Sequence, residues 1–268
     1  MSQTKLETIA ENLSAEISNA VKAKRMKVKT LLKHFNYEKR SEESATRITD
    51  LLAERGVVIQ PSIMKMGDEW KLKLDDQVYL LANKELSIDD LMDAKVISLD
   101  NNRNQWFAKL PGRNFRNEKE VESKFLIPLL NYLGYTEDDR FDGMPVSGAE
   151  GSKKTKLFID FALFNNSDEA LNEQVLLIAE AKCHMLLDKT NDLSTAMKQA
   201  TSYALHSSCS FGIITDAKLI KVMRFSFKKE HREPIFECSI DDLQEKFDTL
   251  YNLISKDNLS RYYKRLQQ

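Results

Sequence analysis

Leu176-Leu177-Ile178-Ala179-Glu180-Ala181-Lys182 is an apolar run that ends in two charged residues separated by one. A run this short and this apolar reads as a buried strand. Side chains alternate along a strand, so Glu180 and Lys182 project from the same face. Two charges on a core strand are costly unless they pair or bind an ion. Leu157-Phe158-Ile159-Asp160-Phe161-Ala162-Leu163 repeats the anomaly, with one carboxylate amid apolar residues. If the two strands are neighbours, Asp160 and Glu180 converge on one hard cation, and carboxylate oxygens with retained waters suit Mg²⁺. Mn²⁺ is the second candidate. Lys182 beside that ion would position a water, or help to deprotonate it, and offset charge building on a phosphate. The plain alternative is a half-exposed strand whose Glu and Lys merely pair with each other.

The flanking residues extend the pattern. From Asn117 a helix is expected to about residue 133, with an apolar stripe at Val121, Phe125, Leu129 and Leu133. Glu118 and Glu122 fall on that stripe by three- and four-residue steps, so at least one carboxylate faces inward. Strands are expected near 157–164 and 175–182, a long helix over 190–206, strands near 210–215 and 219–227, then helical ends. This order implies an α/β unit, a mixed sheet with helices on its faces. Gln199 and Tyr203 lie one turn apart on the long helix. An inward Gln beside a Tyr would orient a phosphate or a water, although such a pair is also ordinary helix packing.

Before this unit lies a different pattern. Leu6, Ile9, Leu13, Ile17 and Val21 mark an amphipathic helix, Val28 to Phe35 a second, and Ser41 caps a third that runs to Gly56. Val57-Val58-Ile59 reads as a strand stopped by Pro61. Trp70–Leu74 and Gln77–Leu80 read as a hairpin turning at Asp75-Asp76. Helices followed by a hairpin suggest a smaller, winged-helix type of module. The polar, turn-rich stretch 98–117 places the division, with an N-terminal domain over 1–110 and an α/β domain over 111–268.

Composition narrows the function. The chain has 268 residues, 42% of them hydrophobic, which suits one large domain or two modest ones. Lys+Arg 40 against Asp+Glu 41 leaves −1, which excludes a body that coats nucleic acid through overall charge. No apolar run approaches the roughly 18–20 residues of a membrane span, so no membrane association is expected. The amphipathic start argues against a secretory signal, and Cys183, Cys209 and Cys238 are too scattered for a disulfide framework. A reducing cytoplasm is the expected compartment.

Together these residues resemble the PD-(D/E)XK nucleases and, more narrowly, the nuclease domain at the N-terminus of type I restriction-enzyme R subunits. The resemblance spans about residues 115–227. Asn117-Glu118 opens a helix running into Ile127-Pro128-Leu129-Leu130 and Leu133-Gly134-Tyr135. Gly151-Ser152-Lys153-Lys154 precedes Ile159-Asp160-Phe161, and Ala179-Glu180-Ala181-Lys182 follows. Gln199-x-x-x-Tyr203 and Phe211-Gly212-Ile213-Ile214-Thr215-Asp216 complete it. Each piece is weak alone, and their order is what is specific. The resemblance implies a restriction-endonuclease-like core and Mg²⁺-dependent endonucleolytic hydrolysis of DNA, in restriction or phage defence. By position, Asp160 and Glu180 become metal ligands, with the Ala181 carbonyl as a third. Glu118 completes the shell, with Glu122 the alternative in another register. Lys182 becomes the catalytic lysine, and Gln199 matches the family's glutamine. Thr215-Asp216-Ala217 departs from the usual Asn-Gly turn. No G-x-x-x-x-G-K-[ST] loop or helicase motor follows, so translocation would come from a partner subunit. A homodimer is the other assembly expected, and RNA is a substrate the residues do not separate from DNA. The competing class is a nucleic-acid-binding or assembly subunit with a silent core, against which the intact Asp160, Glu180 and Lys182 set argues.

One local charge excess stands out. Lys22, Lys24, Arg25, Lys27, Lys29, Lys33, Lys39 and Arg40 face a single acidic residue, Glu38, in the same stretch. These residues are candidates for phosphate contact, or else a solvated face. The third helix carries Glu42, Glu43, Asp50 and Glu54 beside Arg47 and Arg55, a poor surface for reading bases, so the module would hold phosphates or dock a protein. Cys183, His184, His206 and Cys209 match no common zinc spacing. Cys183 follows Lys182 directly and so points to the other strand face. His34 and His231 carry no pattern.

Overall fold

A computed structural model of the chain describes residues 3–20, 23–66, 69–82, 101–150, 153–183, 186–187, 190–225 and 232–267. Of the residues singled out above, Val21, Lys22, Gly151, Ser152, His184 and His231 lie outside these, as does the end of the strand expected to reach residue 227. Among the described residues no helix is long and apolar enough to cross a membrane.

The N-terminal elements run α1 (Gln3–Ser18), β1 (Lys24–Lys27), α2 (Val28–His34), α3 (Glu42–Ala53), β2 (Val57–Gln60) and β3 (Gln77–Ala82). α1 buries Leu6, Ala10, Leu13 and Ile17, one stripe at steps of four and three. Ser41 caps α3: its Oγ accepts the Ser44 N–H at 3.1 Å, and Ser44 Oγ accepts the Ser41 N–H at 2.9 Å. Such a reciprocal cap contributes about 1 kcal/mol.

The hairpin expected between Trp70–Leu74 and Gln77–Leu80 does not form. β3 instead pairs antiparallel with β1 on one side and β2 on the other, Lys24 opposite Leu80 and Val57 opposite Ala82. Both of its edges are therefore taken, in the order β1-β3-β2. The carbonyls of Leu74 and Asp76 accept the N–H groups of Lys29 and Val28 at 2.9 and 3.0 Å. Those are first-turn donors of α2, and Lys27 at its cap offers no side-chain acceptor. The stretch that alternates like a strand is thus committed to capping a helix.

The C-terminal sheet has the strands β4 (Arg140–Glu150), β5 (Lys153–Leu163), β6 (Leu177–Ala181), β7 (Phe211–Thr215), β8 (Leu219–Phe225) and β9 (Arg232–Ser239), in that spatial order. Neighbours are antiparallel except β6 and β7, which run parallel. A parallel pair needs a long crossover. It is α7 (Thr190–Ser207); before it come α4 (Asn101–Phe107), α5 (Glu118–Val121) and α6 (Ile127–Tyr132), and after it α8 (Leu243–Ile254) and α9 (Lys256–Gln267). A π-helical turn, Glu122–Leu126, joins α5 to α6. The fold is the α/β arrangement expected, a mixed sheet flanked by helices.

Strand alternation divides the side chains between two cores. Leu177, Ala179 and Ala181 of β6 pack with Val121, Phe125, Leu129, Phe247 and Leu250 on one face. Ile178 packs with Ala196, Ala200, Tyr203 and Ala204 of α7 on the other. Phe107 and Leu110 belong to the first of these cores. The division drawn at residues 110 and 111 therefore falls inside a stretch that packs with the C-terminal residues.

Gly212 of β7 shows how tightly the sheet and its neighbours meet. A Cβ there would lie 2.7 Å from Phe225 Cε2 and 3.0 Å from Ile178 Cγ1. Both neighbours are buried. Gly212→Ala should therefore cost about 1–3 kcal/mol through overpacking. Urea unfolding with unchanged midpoint would show that the neighbours yield instead.

Candidate functional site

β5 and β6 pair with Phe161 opposite Ala179, and one step further that register sets Asp160 opposite Glu180. Asp160 is held there: its Oδ2 accepts the Ala181 N–H at 2.8 Å. β6 is buried throughout, and Glu180 shares the α7 face with Ile178 by alternation. The Lys182 N–H donates to Thr215 O at 2.8 Å, which fixes its backbone just past the strand end. Its ammonium donates to Glu180 Oε1 at 2.5 Å. The pair that the plain alternative anticipates is therefore present. It leaves something over: Glu180 Oε2 is buried and has no hydrogen-bond partner among the described residues.

The helix from Asn117 supplies the other wall. Asn117 Oδ1 accepts the Glu120 N–H at 2.9 Å and starts α5. The π turn then begins at Glu122. Such turns are rare in helices and often occur where side chains must be re-aimed at a site. Carboxylate oxygens of Glu118, Glu122 and Asp160 all lie within 4.8 Å of one another. The two glutamates that the sequence offered as alternatives are thus both present. Glu180 stands outside that set, its Oε1 turned to Lys182. Glu122 also accepts a bond from Lys119 at 2.5 Å, whereas Glu120 faces outward to Arg116 and Lys124. Ala181 contributes its N–H to Asp160, the contact through which it belongs to the site.

Crowding shifts the charges. Burial first, then the charges of Glu122 and Glu118, push the Asp160 carboxyl up to about 6, against the pull of the Ala181 N–H and Lys182. Burial first, then Asp160 and Glu118, push Glu180 up to about 7, although Lys182 draws it down. Burial would lower the Lys182 ammonium, but Glu180, Asp160 and Glu118 outweigh it and raise its pKa. Among the described residues, four carboxylates here meet two lysines, Lys119 and Lys182.

Gln199 and Tyr203 sit on the α7 side of this cluster. Gln199 Nε2 donates to Tyr203 Oη at 2.5 Å, and the Phe158 main chain lies close enough to the same hydroxyl to draw its pKa down slightly. Burial raises the phenol to about 12, and Glu180 and Asp160 add to the shift, so it remains protonated at neutral pH. Cys183 is exposed, whereas Cys209 is a buried thiol that burial raises to about 12.

The basic run lies on the N-terminal elements and is partly compensated by distant acids. Lys24 pairs with Glu16, and Lys27 and Lys29 both reach Asp75, at 3.1 and 2.6 Å. Arg40 donates to Leu72 O at 2.6 Å and stacks 4.1 Å over Trp70. Arg25, Lys33 and Lys39 are exposed. Along α3, Ser44, Ala45, Ile48, Thr49, Leu51, Leu52 and Ala53 are buried, and burial raises the Asp50 carboxyl above its ordinary value. Nearby, Ser62 Oγ donates to His206 O at 3.0 Å. Compared with protein-family models, with curated proteins and with solved structures, the chain matches none.

Proposed function

We propose that this chain is a Mg²⁺-dependent endonuclease that hydrolyses DNA phosphodiester bonds in restriction or phage defence, with Mn²⁺ as a substitute. The observation that carries the reading is the excess of buried carboxylate. Glu180 keeps a bare, buried Oε2 beside Asp160, and Asp160 clusters with Glu118 and Glu122. A buried carboxylate oxygen without a partner is costly, and a cation bound there would offset that cost. A structural Glu–Lys pair accounts for Oε1 and leaves Oε2 unexplained. Oxygen donors alone suit a hard cation.

Asp160, Glu118, Glu122 and Oε2 of Glu180 are the groups that would hold the ion. When bound, the cation would supply Lewis-acid polarisation of a phosphoryl oxygen and ease the deprotonation of water. Lys182 provides a positive charge fixed between strand end and carboxylate, suited to charge that develops on the phosphate. Tyr203 accepts from Gln199 at its oxygen, which leaves its own proton to donate. Gln199 is then a positioning residue acting through Tyr203.

The finer fold reading belongs to the same proposal. The helix, three antiparallel strands, α7 crossover and parallel β7 support reading the C-terminal part as a restriction-endonuclease-like core. The order α1-β1-α2-α3-β2-β3 with sheet order β1-β3-β2 supports reading the N-terminal part as a winged-helix type of module. Because α3 is mostly buried, that module would meet DNA by phosphate contact from Arg25, Lys33 and Lys39, with Lys22, Lys24, Lys27, Lys29 and Arg40 adding charge. It would work in the cytoplasm, as a homodimer or beside a partner subunit.

Purified protein offered plasmid, linear and single-stranded DNA and RNA with Mg²⁺, Mn²⁺ or EDTA tests this directly. Absence of metal-dependent cleavage on every substrate would sink it. Within the site, Glu118→Gln should raise the Mg²⁺ concentration needed for activity about 10- to 100-fold. Glu122→Gln should raise it less, because Lys119 already occupies part of that carboxylate. Metal titrations in the reverse order would make Glu122 the principal helix ligand.

A further inference from the structure

Lys182 stands just past the last ladder pair of β6 and β7, Ala181 with Thr215. Its side chain is long and flexible, and charge stabilisation at a phosphate requires the ammonium within about 0.5 Å of one place. Two main-chain bonds hold the segment that carries it, and both are made to the end of β7. The Lys182 N–H donates to Thr215 O at 2.8 Å. Further along, the Leu187 N–H donates to Asp216 Oδ2 at 2.9 Å. Between these two ties the Leu186 N–H donates to Cys183 O at 3.0 Å. Leu187 is buried and belongs to the same core as Ala196, Ala200 and Tyr203 of α7.

Asp216 is fully buried, and its other oxygen, Oδ1, accepts the N–H groups of Lys218 and Leu219 at 3.0 and 2.8 Å. Those two bonds belong to the tight turn between β7 and β8, a task that aspartate and asparagine perform alike. Thr215 secures the same turn independently: its Oγ1 accepts the Ala217 N–H at 3.0 Å and donates to Leu219 O at 2.7 Å. What a carboxylate adds over an amide at this position is a second acceptor oxygen. That oxygen reaches 29 residues back along the chain, to Leu187. Burying a carboxylate where an amide would make the turn is a cost that the turn does not explain.

We propose that Asp216 is a positioning residue for Lys182, acting through the main chain: it clamps the segment that follows β6, so that the ammonium stays on Glu180 and faces the scissile phosphate. This rests on the nuclease reading above and adds a residue to its machinery. Without the clamp, the Lys182 N–H keeps Thr215 O, but the chain beyond it loses its second anchor on β7.

The test is a double-mutant cycle on the full chain. Asp216→Asn keeps one oxygen for the turn and presents an amide N–H to the Leu187 N–H, so the clamp is lost while the turn survives. Cleavage of DNA at saturating Mg²⁺ should fall about 10- to 100-fold, the scale of a catalytic group misplaced by about 1 Å. The Mg²⁺ concentration at half-activity should stay as it is. Lys182→Met has no ammonium to position, so adding Asp216→Asn to it should cost no further activity, measured with protein in excess over DNA. A residue that merely holds the fold would lower both backgrounds alike, and equal losses would overturn the proposal. Hydrogen exchange reads the clamp without any activity: the Leu187 amide should exchange about 10-fold faster in Asp216→Asn, and the Ile213 amide at its former rate. Unchanged exchange at Leu187 would also overturn it. Should the unaltered chain cleave nothing while the Leu187 amide still responds, the nuclease reading falls and Asp216 is a clamp of the fold. Asp216→Ser, which keeps a hydroxyl for the turn, is the second variant. If neither variant folds, Asp216 serves the fold alone and the proposal is lost.

Discussion

Asp160→Asn should lower metal-dependent cleavage of DNA by at least about 1,000-fold, roughly 4 kcal/mol of transition-state stabilisation. In the same variant the metal-free protein should become more stable. The amide can still accept the Ala181 N–H where Oδ2 does now, at 2.8 Å, so the strand geometry survives. What disappears is a charge placed against Glu118 and Glu122. Its folded-state pKa of about 6 lies above the ordinary 3.8. The carboxylate therefore costs stability above the ordinary value, and the cost is complete once the pH has passed the folded value. At pH 8 in EDTA, neutralising it should return about 1–3 kcal/mol, an upper range for a group that solvent still reaches. Glu180→Gln should be equally inactive and, by the same sign, more stable at pH 8 in EDTA, with part of the gain offset because the Lys182 ammonium loses its partner. Nuclease assays and thermal melts on the two variants decide the matter together. Full activity in Asp160→Asn would end the assignment of this residue as a ligand. Failure of Asp160→Asn to fold would make the cluster a structural network.

Adding Mg²⁺ or Mn²⁺ should raise the melting temperature of the unaltered protein, increasingly so between about pH 6 and pH 8. Protons and cation compete for the same carboxylates. Glu180, raised to about 7, and Asp160, raised to about 6, hold protons below those values and expose charge above them. The sign follows for each state. Without metal, stability falls as the pH rises through this window, because the folded state binds more protons than the unfolded one. With metal, that loss is offset by binding to the ionised site, about 2.7 kcal/mol at a concentration 100 times the dissociation constant. The two melting curves should therefore converge at pH 5.5 and separate at pH 8. A metal-induced shift that is the same at both pH values would place the ion elsewhere on the chain. Sodium at equal ionic strength controls for screening.

How much of this was legible in the sequence depended on where each residue sits in the sheet. β6 and β7 are buried at every residue, and β5 from Ile159 onward and β8 are largely so; their apolar runs stand out. β4 and β9 are the outer strands, and they went unread: Arg140–Glu150 carries Gly143, Pro145 and Gly148, and Arg232–Ser239 carries Pro234. Edge strands tolerate residues that deny a backbone donor or weaken pairing, so their composition resembles a turn-rich loop. The opposite error arose at Trp70–Leu74. Its alternation is genuine, but the carbonyls of Leu74 and Asp76 are spent on the first turn of α2. No local pattern reveals that long-range use.

The amino-acid sequence by itself determined that charged residues stand on core strands, because a carboxylate inside Leu157–Leu163 and an E-x-K at the end of Leu176–Lys182 are anomalous wherever those strands go. It also determined that Glu118 and Glu122 share a helix face, since four residues make about one turn. Only the tertiary structure decided which groups meet. Strand register set Asp160 opposite Glu180, and helix packing brought both glutamates within 4.8 Å of Asp160. Only the tertiary structure showed Glu16 and Asp75 beside the basic run, and left Phe158 outside both cores. Periodicity is a property of a segment and can be read along it. Convergence depends on pairings between residues distant in the chain, and their distances are set only when the whole sheet has closed.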